Sequence, residues 1–318
     1  MKGKIYRIGK WSTKICTKNS AGEEASITLC PSWFFVFFVF LLPTDIFSQK
    51  TEKLYLSGTG NDNTIDWEFY CTEGMNSGKW TTIPVPSCWE LQGFGKYDYG
   101  FAKDSVRGKE KGLYKYTFHT PLSWKSKKVN IVFEGSMTDT EVKINGQTAG
   151  EIHHGAFYAF KYDITSLLKF GSTNLLEATV SKHSANESVN AAERRADFWI
   201  FGGIFRPVYL EALPLTHIEE IAINAKADGS FIASFSTSGF ADKASLLIYD
   251  AGGTIYGKAE GVDAGDARNL FLITHKFPSP KLWSSEFPNL YKAVFNIYIK
   301  MENCCIPYQK KLVSEQLK

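Results

Sequence analysis

From about residue 52 onward, apolar and polar side chains alternate with a period of two, and that pattern confines the chain to β-sheet. Val129, Ile131 and Phe133 share one face of their segment, Tyr114, Tyr116 and Phe118 alternate with polar residues, and Leu176, Ala178 and Val180 form a third set. Successive side chains of a strand point to opposite faces, so such segments bury one face and wet the other. Glu141-Val142-Lys143-Ile144 alternates and then meets Asn145-Gly146, a dipeptide suited to the left-handed conformations of a tight hairpin. Half-buried strands joined by turns predict an antiparallel β-sandwich.

Helical periodicity is nearly absent. Asp163–Gly171 can form a turn or two, capped by Asp163 or Thr165 and ended by Gly171. The pattern pauses at Leu213-Pro214, and a second strand set follows. Ile221 and Ile223 alternate, as do Phe231, Ala233 and Phe235, then Leu246 and Ile248, and last Ala293, Phe295, Ile297 and Ile299. This set predicts a smaller, immunoglobulin-like sandwich over 214–300 after a first sandwich over 49–213. Residues 301–318 carry neither period, so the final strand is expected to lack a partner, through truncation or a frameshift.

The first 48 residues differ from the rest. Six basic residues precede an unbroken apolar run of ten, Trp33–Leu42, ended by Pro43. That run is too short for a membrane-spanning helix and suits the core of an export signal. We read 1–48 as a signal with an extended front, its core and cleavage region at about 27–48, and expect a secreted or periplasmic protein with no membrane contact after cleavage. Of 36 basic and 33 acidic residues in the chain, six and three fall in this segment, leaving 30 of each. With no net charge on the remainder, nucleic acid is not an expected partner. Two of the six cysteines, Cys71 and Cys88, lie in the folded body and could pair after export. His153-His154 is a weak metal signal, because neighbouring strand side chains face opposite ways.

Specific stretches carry a resemblance. IPVPSCWELQGFG at 83–95, GLYKYTF at 112–118, the long stretch from Phe133 to Thr165, RADFWIFGGIFRPVYLE at 195–211 and KLWSSEFPNLY at 281–291 resemble, in order and spacing, the front end of family 2 glycoside hydrolases of the β-galactosidase type. β-Mannosidases and β-glucuronidases share this front end. The resemblance spans about 53–299. It implies a jelly-roll (galactose-binding-like) β-sandwich, then an incomplete immunoglobulin-like β-sandwich, with the catalytic barrel and its two glutamates missing. Retaining hydrolysis needs a pair of carboxyls about 5–5.5 Å apart. Asn186-Glu187 copies the family's catalytic dipeptide but sits in a polar loop, so no catalytic residue is assigned.

The resemblance also points to site residues. Asp197 matches the family aspartate that contacts a substrate hydroxyl and helps hold a cation, so it is the leading sugar-binding candidate and a weak metal candidate. Its bland alternative is a turn cap or a pair with Arg194 or Arg195. Trp199 is a second sugar candidate, although core is the commoner role for such a tryptophan. Trp89, Glu90, Asn145, Gly146, Gly202, Gly203 and Arg206 are expected to be structural, with Trp89 buried, Glu90 hydrogen-bonded and Arg206 paired with an acidic group. The family's second contact, an Asn before the G-x-Y strand, is not evident in AKDSVRGKEKGLY. No cofactor is expected in this chain; Mg2+ or Na+ belongs to the full-length family enzyme. The expected function is the front part of a hydrolase of terminal β-glycosides, with a terminal β-galactoside or related glycan as carbohydrate partner. The alternative is a stand-alone carbohydrate-binding module, and a spacer role would leave the motifs unexplained.

Overall fold

The computed structural model describes residues 51–103, 108–264 and 269–299, all within the unit Asp45–Lys318. The expected signal at 1–48 and the tail at 301–318 lie outside the described residues. In chain order the first sandwich comprises β1 (Glu52–Tyr55), β2 (Ile65–Cys71), β3 (Trp80–Val85), β4 (Asp98–Tyr99), β5 (Lys111–Thr120), β6 (Lys128–Phe133), β7 (Asp139–Ile144), β8 (Gln147–Thr148), β9 (Phe160–Asp163), β10 (Ser172–Ser181), β11 (Trp199–Ile200) and β12 (Val208–Leu213). One sheet has the order β3-β2-β5-β10-β7-β8 and the other β1-β12-β6-β9, while β4 and β11 form a separate two-stranded ribbon. The architecture is an all-β jelly-roll sandwich.

The alternation places the core. Leu176, Ala178 and Val180 of β10 are buried, as are Val129, Ile131 and Phe133 of β6. Both sets join Trp67, Phe69 and Tyr114 in one cluster between the sheets. Each such large apolar side chain contributes roughly 1.5–3 kcal/mol on burial. Trp67 stacks on Tyr116 with ring centroids 5.0 Å apart. The β7–β8 turn is the Asn145-Gly146 hairpin, with φ of 52° and 79° and Ile144 opposite Gln147. Asn145 also ties the turn to β10, donating to Asn174 Oδ1 at 2.8 Å and accepting from the Leu175 N–H at 3.0 Å.

The short turn at Thr165–Leu167 forms where expected, with Asp163 Oδ1 accepting from the Thr165 N–H at 3.0 Å. The loop reading of Asn186-Glu187 needs correction. Asn186 is the N-cap of a helix, α1 (Glu187–Glu193), and its side chain accepts from the Ser188 N–H at 3.0 Å. An Asn side chain that satisfies a free N–H at a helix start stabilises one there despite weak periodicity. Cys71 and Cys88, which could have paired, are both free thiols. Cys71 is buried at the end of β2, and its Sγ donates to the Glu73 carbonyl.

The second sandwich, immunoglobulin-like, holds β13 (Ile218–Ala225), β14 (Ser230–Thr237), β15 (Lys243–Tyr249), β16 (Ile255–Asp263), β17 (Leu270–Lys276) and β18 (Lys292–Tyr298), ordered β13-β14-β17-β16-β15-β18. The join read at Leu213-Pro214 falls between β12 and β13. β16 pairs with β15 along most of its length and reaches β17 through Val262 and Asp263, so it links the two faces. Phe235 of β14 and Phe295 of β18 meet edge to face at 5.6 Å within a single core. β18 runs antiparallel to β15 from Lys292 to Tyr298 and ends the strand order, and the stretch expected to lack its next strand, 301–318, lies outside the described residues. No helix among the described residues is long and apolar enough to cross a membrane.

Candidate functional site

The ribbon of β4 and β11 gathers residues that the sequence proposed for sugar binding, Asp197 and Trp199, beside Tyr97 and Tyr99. Tyr99 pairs with Trp199 and Asp98 with Ile200 in antiparallel register. Alternation turns Asp98 and Ile200 inward, where both are buried, and leaves Tyr99 and Trp199 outward. Trp199, for which core was the commoner expectation, is 55% exposed, because its strand has only two residues and no element among the described residues covers its outer face. Its ring meets Tyr99 at 5.6 Å and Tyr97 at 6.2 Å, both edge to face. Tyr99 in turn meets Phe101, which is 67% exposed. Gly100 lets the strands approach: a β-carbon there would come 2.0 Å from the Ala196 carbonyl oxygen.

Asp197 precedes the ribbon and is exposed. The Tyr99 hydroxyl donates to its Oδ1. That hydrogen bond raises the Tyr99 pKa above its ordinary value, since deprotonation would set phenolate against carboxylate. Among the described residues, neither Arg194 nor Arg195 pairs with Asp197. Arg194 turns inward, donating to the Phe201 carbonyl and Thr138 Oγ1 at 3.2 Å each, and Arg195 lies 3.4 Å from Glu187. Burial lowers the Arg194 pKa to about 10. The exposed Asp197 carboxylate, held from one side by a phenol among aromatic faces, suits a sugar hydroxyl and an apolar ring face.

Beneath the ribbon lies a cluster of buried charges. Lys182 is fully buried, and its Nζ is 2.8 Å from Glu90 Oε1, 2.9 Å from Glu110 Oε1 and 3.2 Å from Asp98 Oδ2. Burial opposes the ammonium, but Glu90 and Glu110 outweigh it and hold the Lys182 pKa above the usual lysine value. Burial pushes the Glu90 carboxyl up, against the pull of Lys182 and of the Gly202 N–H that donates to it at 2.9 Å. The cluster joins five segments: the turn at Trp89–Gln92, β4 through Asp98, the start of β5 through Glu110, the end of β10 through Lys182, and the chain after β11 through Gly202. It therefore holds the ribbon on the sandwich. The period carried the signal for two of its members. Lys182 continues the inward series 176, 178, 180, and Glu110 continues the inward series of β5 at 112 and 114. A charge at the inward position on two neighbouring strands marks a buried pair.

The remaining motif residues serve this framework. Trp89 is fully buried, and a β-carbon at Gly202 would lie 2.1 Å from its ring. Gly203 has φ of 126° and backs onto the Ser87 carbonyl. Arg206, expected to pair with an acidic group, instead donates to the backbone carbonyls of Phe157 at 3.1 Å and Glu134 at 3.4 Å. Its guanidinium lies over the Phe205 ring, which directs the fork toward those carbonyls. The His pair divides as alternation requires: the His153 ring stacks on Phe160, and His154 Nδ1 faces Asp139 Oδ1 at 2.9 Å. Among the described residues no group of three or more His, Cys, Asp or Glu could hold a metal ion. Asp197 alone offers at most two of the about six oxygen ligands that Mg2+ takes, so these residues do not fit a metal site.

Residues 63–214 match the sugar-binding domain of glycosyl hydrolases family 2. The chain is 29% identical over 264 residues to a β-galactosidase of Priestia megaterium, covering 73% of this chain and 25% of that protein. It is 26% identical over 261 residues to a putative β-glucuronidase of Formosa agariphila, covering 78% and 29%. The chain thus spans about a quarter of the length of these curated relatives. Among solved structures, a β-glucuronidase of Faecalibacterium prausnitzii superposes with a TM-score of 0.56 at 24% identity over 78% of this chain and 44% of that one, which establishes the shared fold. Residues 63–214 of this chain thus match the sugar-binding domain of glycosyl hydrolases family 2, and its similarity to β-galactosidases and a putative β-glucuronidase extends beyond that domain.

Proposed function

We propose that this chain is the N-terminal, non-catalytic part of an exported β-galactosidase-like glycoside hydrolase. The β4–β11 ribbon forms one wall of a site for a terminal β-galactoside or a related β-glycoside. Asp197 accepts a sugar hydroxyl, and Trp199 lies beside the ring. Hydrolysis itself belongs to two glutamates of a barrel domain, with any Mg2+ or Na+ held there. The observation that carries this reading is the exposed carboxylate of Asp197, held by Tyr99 among Tyr97, Phe101 and Trp199 inside the matched sugar-binding domain. Export is supported by the basic front and the ten-residue apolar run at 33–42.

A titration of the chain with methyl β-D-galactoside, followed by two-dimensional NMR, tests this reading. The expected result is weak binding, in the millimolar range or weaker as befits one wall of a site, with shifts at Tyr99, Asp197 and Trp199 that Asp197→Ala abolishes, and no hydrolysis. Shifts confined to other surfaces would overturn it. Sub-millimolar binding at the ribbon would instead favour a free-standing carbohydrate-binding module.

A further inference from the structure

A second polar cleft, of about 550 Å3, lies on the outer face of the six-stranded sheet. Strand register builds its floor. Lys111 of β5, Ser181 of β10 and Asp139 of β7 are direct partners across three strands. Thr179 and Glu141 form the next row on the same face. Lys109 extends the β5 side, and His154, His183, Glu187 and Arg195 add further polar lining. Neighbouring strands are about 4.8 Å apart, so the floor runs from a cationic edge through two hydroxyls to a carboxylate edge over roughly 10 Å.

The lining holds three carboxylates, Asp139, Glu141 and Glu187, and three cations, Lys109, Lys111 and Arg195, but they are not paired one to one. Glu141 faces Lys143 at 3.0 Å and Glu187 faces Arg195 at 3.4 Å, while Asp139 Oδ1 faces the His154 ring at 2.9 Å. Asp139 also accepts the Ala185 N–H at 2.7 Å. Lys109 and Lys111 have no carboxylate within ion-pair distance among the described residues. The open electrostatic demand is therefore for an anion at the β5 edge. Ser184, His154 and Asp139 do not form a nucleophilic relay. Ser184 Oγ at 3.5 Å and Asp139 Oδ1 at 2.9 Å both address the same nitrogen, Nδ1, so the imidazole cannot pass a proton from one to the other.

We propose that this cleft is a binding site for an anionic monosaccharide unit, one that carries a carboxylate or a sulfate ester. The acid group lies between Lys109 and Lys111. The ring hydroxyls span Ser181 and Thr179 and donate to Glu141. A simple inorganic anion would use the lysines alone and leave the hydroxyl floor idle. The assignment is independent of the Asp197 ribbon, because it uses a different face and different residues.

The test is a titration of the full chain with methyl β-D-glucuronide, D-glucose 6-sulfate, methyl β-D-glucoside and inorganic sulfate, followed by two-dimensional NMR. At least one acidic sugar is expected to shift Lys109, Lys111, Thr179 and Ser181 and to bind about tenfold or more tightly than the neutral glucoside, as a charge-assisted contact provides. The two acidic sugars separate carboxylate from sulfate preference. Lys109→Gln with Lys111→Gln, both exposed, should erase that preference while leaving the thermal midpoint unchanged, and Thr179→Val should weaken the sugars without affecting sulfate. Equal binding of the neutral glucoside, inorganic sulfate as tight as either sugar, or no shift at the cleft overturns the proposal. None of these outcomes depends on binding at Asp197.

Discussion

Gly202 lies so close to Trp89 that a β-carbon on it would sit 2.1 Å from the indole ring. The contact is fastened from both sides, because the Gly202 N–H donates to Glu90 and its carbonyl accepts the Trp89 N–H at 3.0 Å. Gly202→Ala has no room to relax without moving a fully buried tryptophan. It should cost about 3 kcal/mol or more, at the upper end of overpacking. Gly146→Ala meets no atom but must keep φ at 79°, and should cost about 1 kcal/mol. Urea melts of the two variants check the ranking, and equal losses would contradict it.

Lys182→Met removes the cation from three buried carboxylates. Breaking a buried charge cluster in this way typically costs about 3–5 kcal/mol. The pH dependence has a definite sign. The folded pKa of Lys182 lies above 10.5, so its contribution is full below that value and is lost as pH rises through the folded value. The folded pKa of Glu90 also lies above its ordinary 4.5, so Glu90 favours the fold most when protonated, and that advantage fades as pH rises. Without Lys182, protonated Glu90 needs no counter-ion. The deficit of the variant should therefore shrink between pH 7 and pH 5, as measured by urea midpoints at both values.

The Tyr99–Asp197 hydrogen bond predicts a spectroscopic change. Tyr99 should ionise above the ordinary tyrosine value of 10, and Asp197→Asn should bring it back toward that value by removing the adjacent charge. Ultraviolet titration of the variant against the parent, with Tyr99→Phe to identify the signal, checks this. An unchanged titration curve in Asp197→Asn would show that the two groups do not interact in solution.

Burial, with Glu90 nearby, pushes the Cys88 thiol up to about 11, and burial raises Cys71 as well. At pH 8 only about one Cys88 in a thousand is thiolate, the form that reacts. Mapping of an alkylating reagent by peptide mass should find both positions unlabelled in the native chain and labelled in urea. Fast native labelling of Cys88, which is half-buried, would show that its surroundings do not hold the thiol protonated.

The sequence alone determined the strands, the hairpin and the family resemblance. Alternation at 129–133 and 176–180 and the Asn145-Gly146 turn are local properties, set by the pleat and by the left-handed backbone that Asn and Gly tolerate. The buried side of the site was partly legible, since Lys182 and Glu110 stand at inward positions of their strands. The tertiary structure decided what these charges meet. Asp98, Glu90 and Gly202 converge on Lys182 from segments far apart in the chain, and no local period encodes that meeting. It also decided that Trp199 faces outward, that Asp197 bonds Tyr99 and not an arginine, that Asn186 starts a helix, that Arg206 serves backbone carbonyls, and that Cys71 and Cys88 stay apart. Each of these depends on which side chains arrive from other strands, a matter of register and packing between elements that are not neighbours in sequence.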